Sequence, residues 1–573
     1  MPGGYRIHLP RGASEASNAD DEQARSPTFA HLAMTIWSDE PSISLGDHGC
    51  IIGHLFTRHL PSRRVDRLDR AAVDRILASH GRSLLTDYWG GYLLALVLPD
   101  GAVNIVRDPS GLLPCYWRRE NGTVTLADDV AELAAPAAER VNLQEIARYL
   151  ASSDAPGRAT CVTDVDELIA GECLRVTQSR ITVESWWSPW DFVKAPNDLS
   201  FAEAAAQLRT VALDCIGTWA GSFDNILLGV SGGLDSSIVA AGSRHHPNLT
   251  CLTLVGPDVE GDERPYARQL AGALELPLIE RRYDLADIDV TRAVAPHHPW
   301  PNASYFRQAI EAIHRRIEKS YRIDAHFTGN GGDGIFCGLR SALPFLDRFL
   351  TEGPRPQLAA TLGDLCDLTG ADAMTVLRHA WRKYRRLGGR HTLRYSPLGL
   401  EKDTLARIEA AGARHPWLAV STDALPGKIA HVVFLMRAQR SLELYPRRSA
   451  PPHIAPLLSQ PIVELCLTIP TWLWIEDGRD RAVARAAFEG LLPETLLRRT
   501  HKRGPSGFSR AIYDRWGDEI RDRLRNGHLA AAGALDPALL DEADDPGGRD
   551  TERSDRILSL GVADSWARWW SGS

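Results

Sequence analysis

The chain has 573 residues, 44% of them hydrophobic and 24% charged, which is ordinary for a water-soluble protein of roughly two to four domains. Its 65 Lys and Arg against 73 Asp and Glu give a net charge of −8, which argues against nucleic acid or an anionic membrane as a partner. The nine cysteines form no C-x-x-C pair, which argues against disulfides and zinc, and no apolar run reaches the roughly 18 to 20 residues of a membrane span, so we expect a cytoplasmic protein.

The stretch from Tyr5 to about Trp190 alternates short apolar runs with turn signals such as Pro99-Asp-Gly101 and Asn121-Gly122. This alternation is typical of antiparallel hairpins and predicts an all-β or layered-sheet domain. Pro, Asn and Ser become frequent between about residues 190 and 200, as they do in linkers. We therefore expect two domains, residues 1–195 and residues 196–573.

The most informative stretch runs from Ile226 to Val239, where an apolar segment breaks into Ser-Gly-Gly-Leu-Asp-Ser-Ser and then resumes with helical spacing. It predicts a buried parallel strand, a loop and a helix. Gly232 and Gly233 permit positive φ and close backbone approach, and Ser236-Ser237 is expected to cap the helix, whose N–H groups would face an anion. The lysine of a Walker loop is missing, because there is no G-x-x-x-x-G-K-[ST].

Later segments extend this pattern of strands and helices. A second strand is predicted over Leu249–Val255, followed by a helix, and a further strand over Ala325–Thr328. That strand leads directly into Gly329-Asn-Gly-Gly-Asp-Gly334. The alternation predicts a doubly wound α/β core whose ligand lies at the carboxyl ends of the strands.

The rest of the chain is predicted to be helix-rich from Phe345 to about Arg440. The basic cluster Arg378–Arg386 is interpreted as a solvated helix face, with peptide binding as the alternative. The Ala, Asp, Pro and Gly content between Gly527 and Arg553 predicts a loose insertion, and Trp566–Trp570 an end packed back onto the body.

Several of these motifs resemble one family. Ser-Gly-Gly-Leu-Asp-Ser-Ser resembles the pyrophosphate loop of ATP pyrophosphatases, and the run from Trp89 to Ala135 resembles the glutamine amidotransferase domain of asparagine synthetases. Arg479–Pro493 resembles a helix in the synthetase half of the same superfamily. The resemblance implies an N-terminal, β-rich amidotransferase-like sandwich of the N-terminal-nucleophile type, then a doubly wound parallel-sheet synthetase domain with added helices. It also implies cleavage of ATP between the α- and β-phosphates, with adenylation of a carboxylate.

The same resemblance implies the residues of the site. Asp235 and Asp333 would share Mg²⁺, which prefers hard oxygen ligands. Arg481 stands where the family has a phosphate-contacting lysine, and Lys502 aligns with a lysine that stabilises the adenylate and the developing oxyanion. The nucleotide is expected to contact Val230, Ser231, Gly232, Gly233, Leu234, Asp235, Ser236, Leu254, Gly329 and Asn330.

Two departures from the family narrow the expected activity. The family's glutaminases use a cysteine at the mature N-terminus, whereas this sequence begins Met1-Pro2 and its first cysteine is Cys50, so we expect no glutamine hydrolysis. β-Lactam synthetases place a tyrosine of their amine-deprotonating pair where this sequence has Asn330. Asparagine cannot serve as that base.

The sequence is therefore interpreted as most similar to a lasso peptide cyclase. Such an enzyme adenylates an Asp or Glu side chain of a leader-cleaved precursor peptide, and the N-terminal amine of the peptide attacks it to give a macrolactam. The expected cofactors are ATP and Mg²⁺, and the expected partners are the precursor peptide and the leader peptidase and leader-recognition protein of the same pathway. A β-lactam synthetase acting on a small molecule, an ammonia-dependent asparagine synthetase and an inactive peptide-binding scaffold are the alternatives.

Overall fold

The computed structural model describes residues 4–10, 26–152, 157–194, 199–256, 262–302, 304–386, 395–419, 424–440, 442–499, 506–541 and 551–572. The first part of the chain forms short strands separated by turns, as the alternating pattern predicts. These strands are β1 (Tyr5–Leu9), β2 (Phe29–His31), β3 (Met34–Ser38), β4 (Ser42–Ser44), β5 (Gly49–Thr57), β6 (Tyr88–Val97), β7 (Val103–Arg107), β8 (Tyr116–Glu120), β9 (Thr123–Ala127), β10 (Val165–Glu167), β11 (Glu172–Val176) and β12 (Ile181–Ser185).

The strands build two antiparallel sheets of six strands each, in the orders β10-β8-β9-β1-β3-β2 and β12-β11-β7-β6-β5-β4. Alternate side chains of the two sheets meet in one buried layer, with Ile7 and Leu126 from the first sheet and Leu93 and Ile105 from the second. This part is therefore a β sandwich. Its helices are α1 (Arg70–Ala78), α2 (Leu84–Asp87), α3 (Leu143–Ala151) and α4 (Pro189–Val193).

A parallel sheet of five strands follows, in the order β15-β14-β13-β16-β17. Its strands are β13 (Ile226–Gly229), β14 (Leu249–Val255), β15 (Leu278–Arg282), β16 (Ala325–Phe327) and β17 (His453–Ile454), and its connecting helices are α5 (Phe201–Ala220), α6 (Leu234–Ser243), α7 (Arg264–Ala273) and α8 (Arg307–Tyr321). The strand order reverses between β13 and β16, so the carboxyl ends of these two strands frame the crevice in which doubly wound sheets bind ligands.

Side chains alternate between the two faces of this sheet, and each face has its own cover. Leu227 and Leu252 pack against Ile313 and Ile317 of α8. Ile226, on the opposite face, belongs to the larger apolar core that includes α5 and α6. Both faces are therefore buried, as in other parallel sheets.

The remaining elements are a short hairpin and a helical shell. They are β18 (Ile475–Glu476), β19 (Arg479–Asp480), α9 (Gly332–Ile335), α10 (Leu343–Glu352), α11 (Gln357–Thr369), α12 (Ala373–Arg386), α13 (Lys402–Ala411), α14 (Pro426–Gln439), α15 (Gln460–Thr468), α16 (Ala482–Ala487), α17 (Glu494–Leu497), α18 (Ser506–Arg525), α19 (His528–Ala531), α20 (Ala538–Asp541) and α21 (Thr551–Ser571). No helix in the described ranges is both long and apolar enough to span a membrane.

One expectation near the C-terminus is wrong in part. The segment from Gly527 to Arg553 is predicted to be loose, yet residues 528–541 include α19 and α20, which bury Leu529 and Leu540 in the same cluster as Trp566 and Trp570. Buried leucines outweigh the turn-forming composition of this part, so it packs. Residues 542–550 of the predicted loose segment lie outside the described ranges. The two tryptophans are packed onto the body, which confirms the prediction for the chain end.

The sandwich and the parallel-sheet part share one apolar core. Trp219 of α5 lies with its ring centroid 4.8 Å from that of Phe56 in β5. Hydrogen bonds also join the two parts: Trp187 donates to Glu464 at 2.8 Å, and Gln439 donates to the Pro109 carbonyl at 3.0 Å. The predicted boundary between residues 195 and 196 stays a proposal, because residues 195–198 lie outside the described ranges.

Candidate active site

Two glycine-rich loops meet at the switch point of the parallel sheet. One follows β13 and enters α6, and the other follows β16 and enters α9. A Cβ on Gly329 would collide with the backbone of Asp235 and Ser236, and a Cβ on Gly332 would collide with the Asp235 side chain. The loops therefore touch backbone to backbone, which explains why glycine occupies these positions.

The loop after β13 has the backbone of an anion cradle. Gly232 has φ +61°, and a Cβ there would collide with Tyr266 of α7. Gly233 is the N-cap of α6, and no side chain caps this helix. The expectation that Ser236-Ser237 caps it is wrong, because the Ser237 hydroxyl donates to the Gly233 carbonyl at 2.8 Å instead. No side chain therefore caps the N-terminal end of α6, where the helix N–H groups favour a bound anion.

Arg481 lies between the two aspartates predicted to hold a metal. Its Nη1 donates to the two carboxylate oxygens of Asp235 at 3.1 and 3.2 Å, and also to Asp333. Asp235 is buried, whereas the Asp333 side chain is 71% exposed. Burial opposes the charge on Arg481, but Asp235 and Asp333 outweigh it and raise the pKa of the guanidinium. The two carboxylates therefore converge on one point at the mouth of the crevice.

The backbone around Arg481 is held in an unusual conformation. Arg481 has φ 53° and ψ 34° at the N-cap of α16, a left-handed conformation that costs an arginine roughly 1–3 kcal/mol. The neighbouring Asp480 is buried and accepts hydrogen bonds from Arg340 at 2.9 Å and from Arg485 at 3.1 Å. This anchored turn aims the guanidinium at the aspartates.

The chain matches two family models. The model described as asparagine synthase matches residues 225–568, and that described as glutamine amidotransferase domain matches residues 69–187. The chain belongs to the asparagine synthase family. No curated protein sequence matches it at a significant level.

Similar solved structures include the allosteric regulatory enzyme of purine biosynthesis, with 9% identity over 49% of this chain and 74% of the other and a TM-score of 0.20. Another is the glutamine phosphoribosylpyrophosphate amidotransferase of B. subtilis complexed with ADP and GMP, with 9% identity over 57% of this chain and 84% of the other and a TM-score of 0.20. Because these TM-scores are low, the two structures do not serve as support for the family assignment. That assignment rests on the family models.

Family membership confirms the predicted fold: an N-terminal amidotransferase-like domain followed by an asparagine synthase domain with a parallel sheet. It also makes the protein an ATP-dependent amide-forming ligase. The family uses ATP, typically with Mg²⁺. The convergent oxygens of Asp235 and Asp333 fit that ion, which commonly takes one or two carboxylates together with phosphate oxygens.

The loop after β13 has a support that sequence reasoning missed. Arg499 donates to the carbonyls of Ser231 and Gly232 at 3.5 and 3.3 Å, forms an ion pair with Glu263 at 2.5 Å, and lies 3.9 Å from the ring centroid of Tyr266. Hydrogen bonding and charge from Glu263 raise the pKa of Arg499. The only signal in the sequence was the position of Arg499 three residues before Lys502.

Three other residues predicted to contact the nucleotide lie in the parallel sheet or in the loops that follow its strands. Val230 is buried and its N–H donates to the Leu252 carbonyl at 2.8 Å. Leu254 is half-buried near the carboxyl end of β14. Asn330 lies in the loop after β16, where its N–H donates to the Thr328 hydroxyl at 3.2 Å. Lys502 lies outside the described residues, so its predicted role stays a prediction.

The four cysteines of the sandwich are poorly suited to nucleophilic catalysis. Cys50, Cys115, Cys161 and Cys173 are all buried. Burial raises the pKa of Cys50 and of Cys115 to about 12, so neither thiol ionises near pH 7. Arg107 of the same domain has a structural role. Its guanidinium donates hydrogen bonds to the carbonyls of Gly111, Leu113 and Leu168 and to the Glu167 carboxylate.

Proposed function

We propose that the protein is a lasso peptide cyclase. It would adenylate an Asp or Glu side chain of a leader-cleaved precursor peptide and join it to the peptide's N-terminal amine as a macrolactam, releasing AMP and pyrophosphate. The observation that carries this proposal is a contrast between the two halves of the chain. The synthetase half keeps convergent Asp235, Asp333 and Arg481 beside a phosphate-type loop, while the four sandwich thiols are buried.

That contrast bears on the identity of the nucleophile. Ammonia from glutamine requires a reactive nucleophile in the amidotransferase-like domain, usually a thiolate. Buried thiols with raised pKa values do not provide one among the described residues. An amine carried by the substrate itself needs no such supply, which favours an intramolecular amide.

The residues of the crevice have distinct tasks in this reaction. The N–H groups at the start of α6 and the Arg481 guanidinium would bind and orient the phosphates of ATP, which is a substrate here. Asp235 and Asp333 would hold Mg²⁺, which when bound neutralises the negative charge of the departing pyrophosphate. Arg499 positions the loop from behind through the Ser231 and Gly232 carbonyls.

Ring closure requires that the attacking amine lose a proton and that an oxyanion be stabilised. Asn330 supplies an amide rather than a base, so no side chain at this position accepts the proton. We propose that Lys502 stabilises the oxyanion and that the amine loses its proton to the substrate or solvent. A fixed cation there would favour the transition state over the ground state.

The decisive experiment supplies the purified full-length chain with ATP, Mg²⁺ and candidate leader-cleaved peptides. We expect one AMP per product and a product lighter than the peptide by one water, measured by mass spectrometry. A peptide whose acceptor Asp or Glu is replaced by Asn or Gln is the matched control and should give no AMP. Formation of asparagine from aspartate and ammonia, or AMP only with a small-molecule substrate, would overturn the proposal in favour of a relative.

We further propose that α12 docks the precursor peptide through an acidic segment. The helix exposes Met374, Leu377, Trp381 and Tyr384 along one stripe, and the rings of Trp381 and Tyr384 stack at 5.7 Å. Residues 373–386 contain five Arg or Lys and one His but no carboxylate. An apolar stripe flanked by cations complements an acidic peptide with large apolar side chains.

The paired substitution W381A/Y384A tests this docking site. Because both rings are exposed, the melting temperature should stay unchanged, while the KM for the peptide should rise roughly tenfold and the KM for ATP should not change. Trp569→Ala, which removes another exposed ring, is the control. Equal peptide KM values in the double variant and the wild type would contradict the site, and loss of vesicle binding instead would indicate a membrane surface.

A further inference from the structure

Three buried histidines from three separate elements meet on the face of the parallel sheet that α8 covers. His326 and His453 lie directly opposite each other in the paired strands β16 and β17, and His314 lies on α8. One ring nitrogen from each lies within 4.8 Å of the other two. Their relative exposures are 8% for His314, 2% for His326 and 3% for His453, so the cluster is closed to bulk water.

Two of the ring nitrogens in this cluster have no hydrogen-bond partner among the described residues. They are Nδ1 of His326 and Nε2 of His453. Buried polar atoms are nearly always satisfied, and each exception requires an explanation.

Two other ring nitrogens of the cluster have polar neighbours. Nε2 of His326 lies 2.7 Å from Glu318 Oε1, and Nδ1 of His314 lies 3.0 Å from the Tyr445 hydroxyl. Since a carboxylate accepts from Nε2, that nitrogen carries the proton of His326, and Nδ1, which has no partner among the described residues, keeps the lone pair. A carboxylate behind an imidazole is the usual outer support of a metal-bound histidine.

We propose that His314, His326 and His453 bind one transition-metal cation, with Zn²⁺ as the best fit. Three histidine imidazoles are a common donor set for zinc, and a water would complete four-coordination. Nitrogen ligands of tetrahedral zinc lie about 3.3 Å apart, so side-chain rotations that close the 4.8 Å spacing by roughly 1.5 Å would assemble the site. This site differs from the oxygen-ligand pair Asp235 and Asp333 in donor chemistry.

The proposed ion would have a structural role. The edge strand β17 has only two residues, and it carries His453. His326 lies three residues before Gly329, at the start of the loop that carries Asp333. Metal bound to all three histidines would tie this short edge strand and α8 to β16. The sequence shows no zinc signature because the ligands are separated by 12 and by 127 residues.

Metal content of the full-length chain, produced without a polyhistidine tag and dialysed against a trace of Zn²⁺, tests the proposal. We expect about one zinc per chain, a visible absorption band of tetrahedral Co²⁺ after exchange, and a fall in melting temperature after chelation. His453→Ala should lose the metal, and Glu318→Gln should weaken its binding roughly 10- to 100-fold. His379→Ala, which removes an exposed histidine of α12, should keep one zinc.

The controls separate this site from the reaction and from misfolding. The double variant D235N/D333N should retain zinc, and circular dichroism should show that each variant is folded. If His453→Ala does not fold, the Co²⁺ spectra of the wild type and of Glu318→Gln decide the question. The absence of stoichiometric zinc and of a Co²⁺ band in the wild type, or equal zinc in a folded His453→Ala variant, would overturn the proposal.

Discussion

At the scale of single residues, Arg481 accounts for much of the electrostatics of the crevice. Its guanidinium donates to both Asp235 and Asp333, so one cation stands between two carboxylates. Without it, the carboxylates would repel each other across a partly buried space. Arg481 therefore holds the two loops together in the free protein.

Loss of either carboxylate should abolish adenylation. We expect Asp235→Asn and Asp333→Asn each to lower the rate of ATP–pyrophosphate exchange by on the order of 10²-fold or more, because the metal and Arg481 lose a charged partner. Asp514→Asn, on the exposed surface of α18, is the matched control. Normal exchange in both site variants would refute the assignment of the metal pair.

Substitution of Arg499 should affect nucleotide binding rather than chemistry. Hydrogen bonds to charged groups contribute about 1.5–3 kcal/mol, so Arg499→Ala should raise the KM for ATP roughly ten- to a hundredfold and change kcat little. Arg498→Ala is an adjacent control, since Arg498 is exposed and pairs with Glu494 on the same helical turn. A large fall in kcat with an unchanged KM would contradict a purely positioning role.

At the scale of elements, α14 fixes α9, the short helix that carries Asp333. His431 of α14 lies with Nε2 2.8 Å from the Ile335 carbonyl, and a Cβ on Gly334 would lie 2.8 Å from the Phe434 carbonyl. The contact is close, so the position of Asp333 depends on a helix about a hundred residues further along the chain.

The His431 contact should make stability depend on pH in a defined direction. Burial, then Lys428, lowers the pKa of His431 to about 3, so below pH 6.5 the unfolded chain binds a proton that the folded one does not. The part of the free energy of unfolding that comes from keeping His431 neutral is therefore lost as pH falls from about 6.5 towards 3, by roughly 1 kcal/mol per pH unit. His431→Gln should lose less stability than the wild type between pH 7 and 5 in urea unfolding, whereas the exposed His379→Gln should match the wild type.

Some features of the candidate site could be predicted from the sequence, and others could not. The resemblance to the family pairs Asp235 with Asp333, and the structure brings them together because each follows one of two adjacent parallel strands whose ends meet at one edge of the sheet. Arg499 and the three clustered histidines could not, since their partners come from distant segments with no fixed spacing. The capping role of Ser236-Ser237 was wrong because the local composition does not say which way a hydroxyl turns.

At the scale of the whole molecule, the two domains share one core. Phe56 and Trp89 of the sandwich pack on Trp219 of the synthetase part, and apolar side chains continue without interruption from one to the other. Buried polar contacts follow the same boundary, such as Arg447 with Glu40 at 3.0 Å. Each part taken alone would therefore expose apolar side chains that are buried in the whole molecule.

The shared core predicts a single cooperative unfolding transition. Phe56→Ala should destabilise the entire chain by about 3–5 kcal/mol, because it removes a fully buried ring at the boundary. Phe349→Ala, whose ring is 40% exposed, should cost far less. Calorimetry that resolved two transitions, with only the first shifted by Phe56→Ala, would contradict a common core.

The burial of Trp219 at this boundary bears on whether the second domain could exist without the first. Removal of the first domain would expose the indole and the apolar side chains around it to water, whatever that domain contributes to the reaction. A chain truncated to the second domain would therefore carry a contiguous exposed apolar patch, and such patches promote aggregation. The first domain thus acts as a solubilising cover for the second, and that role is independent of any reaction it catalyses.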